Sequence, residues 1–564
     1  MVTLLEEALS LHQQGMLDAA EEHYRAHLSA RPDAVEALRL LAALLWQRGQ
    51  HSEAHDLLHK AILLAPDRAD LQCLLGDVHF SEARYSDAIA AYRRSIALDD
   101  HLWSAHSHLG LAQQARGELE AAITSHRASI RCDPARGESW YNLGLSLHDS
   151  NDPDGAEAAY RMALTLLPGD PDTLNNLGNI ALDRGALEQA VTHYEQALQG
   201  APQLALLHHN LGAALRQLSD SSGAIAALKE AVRLSPGYLD AWIQLGIALG
   251  SGGQAEHAAD AFRKAIELDP TNLMAWIQLG HTWRALGLED KALLAYQTAT
   301  RHAPDNATGY LNLGIAHHNR GQLPEAITAY KKAVALSPQD GAARHLLNAV
   351  SGEISASAPS DYIEELFDHY AEQYDAHLTE KLSYRSPQVM SALVSEVTGS
   401  RRFTRGLDLG CGTGLSGAAF TGTTSTLDGV DLSTNMLSAA RARGVYDTLH
   451  RGSLLDYLRS DGPQYDLFIA ADVLVYIGDL RPLLAAMAAR AAPGAVAAFS
   501  TEHTEGEDYL LRESGRYAHS HQHIRAAAAA SGFSVEVIRS ERLRRDQQQW
   551  ITGDLTILSR PAPQ

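Results

Sequence analysis

One short run carries the densest chemical information in this chain: Gly406-Leu-Asp408-Leu-Gly410-Cys411-Gly412-Thr-Gly414. An acidic residue ends an apolar stretch, three alternate glycines follow, and a second apolar stretch closes on Gly429-Val-Asp431. Glycine is needed where backbone turns sharply and approaches a ligand with no Cβ in the way. A helix after such a loop offers its unpaired N–H groups to a polar or anionic ligand. Asp431, seventeen residues beyond Gly414, is placed to accept hydrogen bonds from ribose hydroxyls. The pattern reads as a nucleoside-cofactor site.

Two cofactors compete for it. Gly412-Thr-Gly414-Leu-Ser-Gly417 fits the G-x-G-x-x-G dinucleotide fingerprint, so NAD stays open on spacing alone. Asp408 discriminates: a carboxylate there repels a pyrophosphate but suits the ammonium and sulfonium of S-adenosylmethionine (SAM). Asp408-x-Gly410-x-Gly412-x-Gly414 then resembles motif I of class I SAM-dependent methyltransferases. That resemblance implies a Rossmann-like α/β domain with a seven-stranded sheet and SAM as cofactor. On the family pattern the cofactor is held by Asp408, Gly410, Gly412, Gly414, Asp431, Leu432, Met436, Ser453, Leu454 and Asp472. Met436 fits equally as a core residue. Many relatives carry an acid where Ser453 stands, and Asp456 is the substitute at hand. Upstream, Phe367-Asp-x-Tyr370-Ala-x-x-Tyr374-Asp-x-His377-Leu is similar to the lid of small-molecule-type methyltransferases, whose tyrosines close over the cofactor. The same helical face could instead seal the sheet edge.

The family places its reaction centre at the exit of the fourth strand, here Tyr465-Asp-Leu-Phe-Ile-Ala-Ala-Asp472-Val-Leu-Val-Tyr476. The Asn/Asp-Pro-Pro-Tyr of amide and base N-methylases is absent there. Asp472, Tyr476, Tyr517 and His519 are the candidate catalytic groups for methyl transfer to O, N, S or C. His519, His521 and His523 alternate before an alanine-rich helix. Imidazoles suit zinc or copper, but no neighbouring carboxylate or cysteine completes a set, so no metal is assigned.

The first 340 residues follow another rule. Prolines at Pro32, Pro66, Pro134, Pro168, Pro202, Pro236, Pro270, Pro304 and Pro338 are spaced by 34 or 68. Glycines from Gly76 to Gly314 and alanines from Ala20 to Ala326 share the period. An aromatic often follows the alanine by four, as in Tyr24, Tyr92, Tyr160, Tyr194, Phe262, Tyr296 and Tyr330. This is the tetratricopeptide (TPR) pattern. It predicts ten helix pairs in an all-α superhelix with a concave face. The predicted domains are residues 1–340, a solvating cap helix and hinge over 341–358, and the methyltransferase domain over 359–564.

Ahead of the Leu-Gly of seven repeats lies a polar residue: His108, Asn142, Asn176, Asn210, Gln244, Gln278 and Asn312. The row resembles the asparagine ladder in the TPR array of O-linked N-acetylglucosamine transferase, where amides hold an extended peptide. An amide both donates and accepts, as a peptide unit does. The resemblance implies a protein or peptide partner on the concave face. The competing reading makes these amides bridges between neighbouring helices.

Composition narrows the rest. The chain has 564 residues, a formal net charge of −22 and three cysteines without metal spacing. An acidic balance argues against nucleic acid as the main substrate, leaving one local basic patch at Arg542, Arg544 and Arg545. No 18-residue apolar stretch and no basic leader occur, which predicts a cytoplasmic protein without a membrane span. Two rival readings remain: a TPR scaffold that binds SAM without turnover, and an enzyme acting on a small molecule. Oligomeric state is left open.

Overall fold

The computed structural model describes residues 4–368, 374–375, 378, 384–506, 508–546 and 549–561. It contains two compact units, Met1–Pro270 and Thr271–Gln564. The first is eight helix–turn–helix pairs, from Leu4–Gln13 with Leu17–Ala30 to Leu239–Ser251 with Ala255–Leu268. One contact recurs through them. A Cβ added at Gly144 would lie 2.5 Å from the Tyr160 ring, and one at Gly178 would lie 2.5 Å from Tyr194. Only hydrogen fits, so the two helices close until the ring fills the gap. His126, Leu228 and Phe262 occupy the same slot against Gly110, Gly212 and Gly246. All ten repeated alanines are fully buried. Proline stands just beyond the end of the second helix, as Pro32 does after the cap residue Arg31, where a missing N–H and a fixed φ stop helix growth.

The second unit opens with two more pairs, Leu273–Ala285 with Glu289–His302 and Ala307–Asn319 with Leu323–Leu336. Helix Gly341–Ser351 follows, but it is not a solvating cap. Its Ala343, His345 and Ala349 are buried, and His345 Nε2 donates to the Gly515 carbonyl at 2.8 Å. Nor is the small, polar stretch after it a free hinge. Ser357 bridges Ile477 antiparallel, Ala358 N–H donates to Tyr476 O, and Gly478 and Asp479 both donate to Ala356 O. Residues 354–359 are a strap laid along the loop after the fourth strand.

The α/β part is a mixed sheet with strands β1 (Phe403–Leu409), β2 (Thr424–Asp431), β3 (Thr448–Arg451), β4 (Tyr465–Ala470), β5 (Ala491–His503), β6 (Tyr509–Leu511), β7 (Tyr517–His519), β8 (Ser534–Asp546) and β9 (Gln549–Ser559). Strands β3-β2-β1-β4-β5 run parallel, and β9 lies antiparallel between β5 and β8. Among the described residues nine strands are present rather than the seven expected. The hairpin β6–β7 joins the far end of β5 through Glu502↔Ala518 and His503↔His519. Glu502 also pairs with Gly553 of β9, so β7 must take the opposite edge, beyond the end of β4. Three-residue strands carry too little alternation to be read from sequence. Along β4 the burial splits by pleat, Phe468 and Ala470 facing one core and Leu467 and Ile469 the other. Helices therefore cover both faces, and the free carboxyl ends of β1 and β4 form the switch point where ligands bind in such sheets. Among the described residues no helix is long and apolar enough to cross a membrane.

Candidate active site

The glycine loop leaves β1 at the switch point. Gly414, at φ +92°, caps helix Leu415–Ala419, and Gly412 sits at φ +52°, a conformation that disfavours side chains. A Cβ on Gly412 would meet only the Tyr374 ring, at 3.9 Å, so open space lies beside this backbone. The Gly412 N–H donates to Asp431 Oδ2 at 2.8 Å, and Ser433 N–H donates to Oδ1 at 3.0 Å. Burial raises the Asp431 carboxyl, and these N–H groups pull it back.

Asp408 lies one layer deeper than the sequence suggests. It is fully buried and accepts from Ser416 Oγ at 2.6 Å and Tyr446 OH at 2.7 Å through Oδ2. Its Oδ1 has no hydrogen-bond partner among the described residues. Burial pushes the carboxyl up to about 6, against the pull of Ser416 and Tyr446. Ser416 lines the adjoining hollow while Asp408 does not. Asp408 thus holds the loop through Ser416 and Tyr446. Tyr446 had no distinguishing sequence signal.

Two hollows share Tyr374, Gly410, Gly412 and Ala471 as their common wall. The larger gathers Asp431, Leu432, Met436, Ser453, Leu454, Asp472 and Tyr476, all singled out in the sequence. The smaller is bounded by Tyr384, Thr413 and Ser416. Gly414 caps its helix and lines neither, and Asp456 is exposed and lines neither. Helix Ser360–Asp368 covers the larger hollow with Ile363 and Phe367. It is clamped by Asp368, which accepts from Ser433 Oγ, and by the ion pair of Glu364 with Arg451 at 2.6 Å. Tyr370 and His377 fall outside the described residues.

At the exit of β4, Asp472 takes φ +60° and its N–H donates to Ser500 Oγ at 2.8 Å. Its carboxylate pairs with Arg544, whose other end holds Glu502 at 2.9 Å. Arg544 is 2% exposed, so the surface basic patch expected there is incorrect for this residue: it is a buried strut. Burial pushes the Asp472 carboxyl up while Arg516 lowers it. Arg516 also stacks over Tyr476 at 5.9 Å, and Phe367 makes an edge contact with the same ring at 5.6 Å. Tyr517 and His519 sit elsewhere. Tyr517 OH is 2.6 Å from Ser355 Oγ, and His519 Nε2 is turned to the Ile477 and Gly478 carbonyls at 2.8 and 3.0 Å. Both are fully buried and line neither hollow. They brace the loop that carries Tyr476.

Comparison with known proteins separates a repeat region from a C-terminal domain. A methyltransferase-domain family profile matches residues 407–497, and tetratricopeptide-repeat profiles match 11–77, 69–101, 104–171, 178–219, 209–272 and 278–341. The chain carries tetratricopeptide repeats followed by a methyltransferase domain. The methyltransferase domain is 29% identical over 144 residues to the ubiquinone biosynthesis O-methyltransferase of Bordetella avium (strain 197N), covering 23% of this chain and 60% of that protein. The protein of the same name from Thiobacillus denitrificans (strain ATCC 25259 / T1) is 31% identical over 110 residues, covering 19% and 47%. The chain thus spans about half to three fifths of these curated relatives. Among solved structures, MamA is similar at 28% identity over 29% of this chain and 97% of that one, with a TM-score of 0.28.

Four of the repeat amides, Asn142, Asn176, Asn210 and Asn312, reach a neighbouring helix. Asn142 donates to Ser107 Oγ at 3.3 Å, Asn176 to Tyr141 OH at 3.5 Å and Asn210 to Asn175 Oδ1 at 2.8 Å. In the second unit Asn312 accepts from His281 and donates to Thr308 O, and Gln278 donates to the Met274 sulfur. Gln244 Oε1 is buried with no hydrogen-bond partner among the described residues.

Proposed function

We propose that this protein is a SAM-dependent methyltransferase whose repeats recruit a protein or peptide, with residues 1–340 as the recruiting array, 341–358 as connector and 359–564 as the catalytic domain. The observation that carries the reading is Gly412: an open, positive-φ backbone tied through its N–H to the half-buried carboxylate of Asp431. A cationic nucleoside fits this setting. The half-satisfied buried Asp408 biases the loop negative, Asp431 offers its carboxylate to ribose hydroxyls, and Leu432, Met436, Ser453 and Leu454 form a slot for a planar base. When bound, SAM supplies a sulfonium methyl, an electrophile that needs little activation.

The chain's own work is positioning and exclusion of water. Tyr374, Phe367 and the strap at Ser357 and Ala358 wall the hollow off. Asp472 is held by Arg544, which fixes its carboxylate to orient an acceptor. Tyr476, held against Arg516, faces the same hollow. A protein acceptor is suggested by the repeats. The amides keep only part of their hydrogen-bonding capacity for a peptide, since each described pairing above spends a donor or acceptor on a neighbour. A small-molecule acceptor is the second reading, favoured by the aromatic wall of Phe367 and Tyr476 and by the names of the curated relatives. Cytoplasmic residence goes with either.

Gly412→Val tests the cofactor reading. The side chain enters the open space beside the loop, and calorimetric titration should find SAM and S-adenosylhomocysteine affinity lost by about 100-fold or more, on the order of 2.7 kcal/mol. Unchanged affinity, or tight NAD binding by the wild type, overturns it.

A further inference from the structure

We propose that His503, His521 and Asp554 form a divalent transition-metal site of the zinc class, separate from the cofactor hollow. The three come from the end of β5, the first residue of helix His521–Ala530 and the middle of β9. His503 Nδ1 lies 2.8 Å from Asp554 Oδ2 and His521 Nε2 lies 2.9 Å from the same oxygen. Their ligand atoms all fall within 4.8 Å of one another. Two imidazoles converging on one carboxylate oxygen make a donor set of two histidines and one carboxylate, which suits zinc.

The surroundings are those of ligands held in place. Asp554 is fully buried, and Ser540 Oγ donates to its Oδ1 at 2.7 Å, which leaves Oδ2 to face the imidazoles. Glu505 Oε1 stands 3.3 Å from His503 Nε2. A carboxylate there, although exposed, favours the tautomer that presents Nδ1 as a lone pair, the outer-sphere arrangement metal-binding histidines use. His521 Nε2 is buried and, despite its 2.9 Å approach, makes no aligned hydrogen bond with the carboxylate. A cation between them satisfies both atoms. Three protein ligands leave the fourth position of a tetrahedral shell for a water.

The alternating histidines at 519, 521 and 523 concealed this site. His519 is spent on backbone carbonyls and His523 on Asp508 and the Leu480 N–H. Only His521 turns to Asp554, thirty-three residues on, which local spacing could not reveal. The site closes a staple: its two histidines flank the β6–β7 hairpin, whose Arg516 stacks on Tyr476. Glu502, next to His503, holds Arg544. A metal there ties the hairpin down and steadies the acceptor side of the hollow.

The test uses the full-length, tag-free protein stripped with chelator, then titrated with zinc chloride and, separately, cobalt chloride. One zinc per chain should bind at micromolar or tighter free metal, and cobalt should give the absorption bands of a four-coordinate site. Zinc should also protect residues 504–520 from proteolysis. His521→Ala, at a half-exposed position, should fold and weaken binding beyond the roughly 10–100-fold that loss of an outer-sphere partner causes. Asp554→Asn should do the same, and Cys73→Ser, in the unrelated Cys73–Asp77–His108 cluster, should keep the full stoichiometry. No zinc uptake by the wild type, or full uptake by a folded His521→Ala, overturns the proposal and leaves the cluster as an ion pair.

Discussion

The repeats and the methyltransferase domain bury polar and aromatic groups by different routes. In the repeats each decisive contact is local: the ring that fills the space at Gly76, Gly144 or Gly178 comes from Tyr92, Tyr160 or Tyr194, sixteen positions on. In the domain, Asp472 meets Arg544 from 72 residues away, and Arg544 meets Glu502 from 42 residues away. A local contact is rewritten in every unit, so an imperfect copy costs little beyond its neighbours. A charge cluster has one copy and no such tolerance. Removing one member strands the others in low dielectric.

The largest effect expected from this contrast is at Arg544. Arg544→Leu leaves buried Asp472 and Glu502 with only the more distant Arg512 and Arg516 as counter-charges and should destabilise the methyltransferase domain by about 2–4 kcal/mol. Scanning calorimetry should register a lowered transition for that domain with the repeat transition in place. A loss under about 1 kcal/mol would mean that the carboxylates relax into solvent, and the contrast with the repeats would fail.

His126 is the next test, because it is a charged-capable ring in a slot that tyrosine fills elsewhere. It is fully buried, neither ring nitrogen has a hydrogen-bond partner among the described residues, and burial lowers it from 6.5 to about 4. The unfolded chain then binds the proton first, so repeat stability should fall as pH drops from about 6.5 towards 4, by about 3 kcal/mol in all. Above pH 7 the penalty vanishes. His126→Phe, which copies the ring at Phe262, should flatten this dependence in thermal melts at pH 4.5 and 7.5. An unchanged slope would assign the acid sensitivity to other groups.

The smallest effect is expected at the amides. Asn210→Ala deletes its bond to Asn175 and should cost about 0.5–1.5 kcal/mol of repeat stability. If Asn210 instead serves a bound peptide, the variant should melt like the wild type and lose partner capture in pull-down. The two outcomes separate bridge from ladder.

Periodic residues announced the repeats because a helix pair is specified within thirty-four residues, by glycine, alanine, an aromatic and a proline that each act on their own turn of chain. The glycine loop and the strand end at Asp431 were legible for the same reason: their local conformation follows from backbone freedom and strand ends near in sequence. Tyr446 under Asp408, the Arg544 strut, the strap over the β4 exit and the meeting of His521 with Asp554 were not. Each pairs side chains whose separation along the chain says nothing until strands take their order in the sheet. Sequence alone set the helix pairs and the cofactor loop, through local sterics and spacing. Tertiary structure decided which charges are buried together, because only packing chooses which distant groups lose their water.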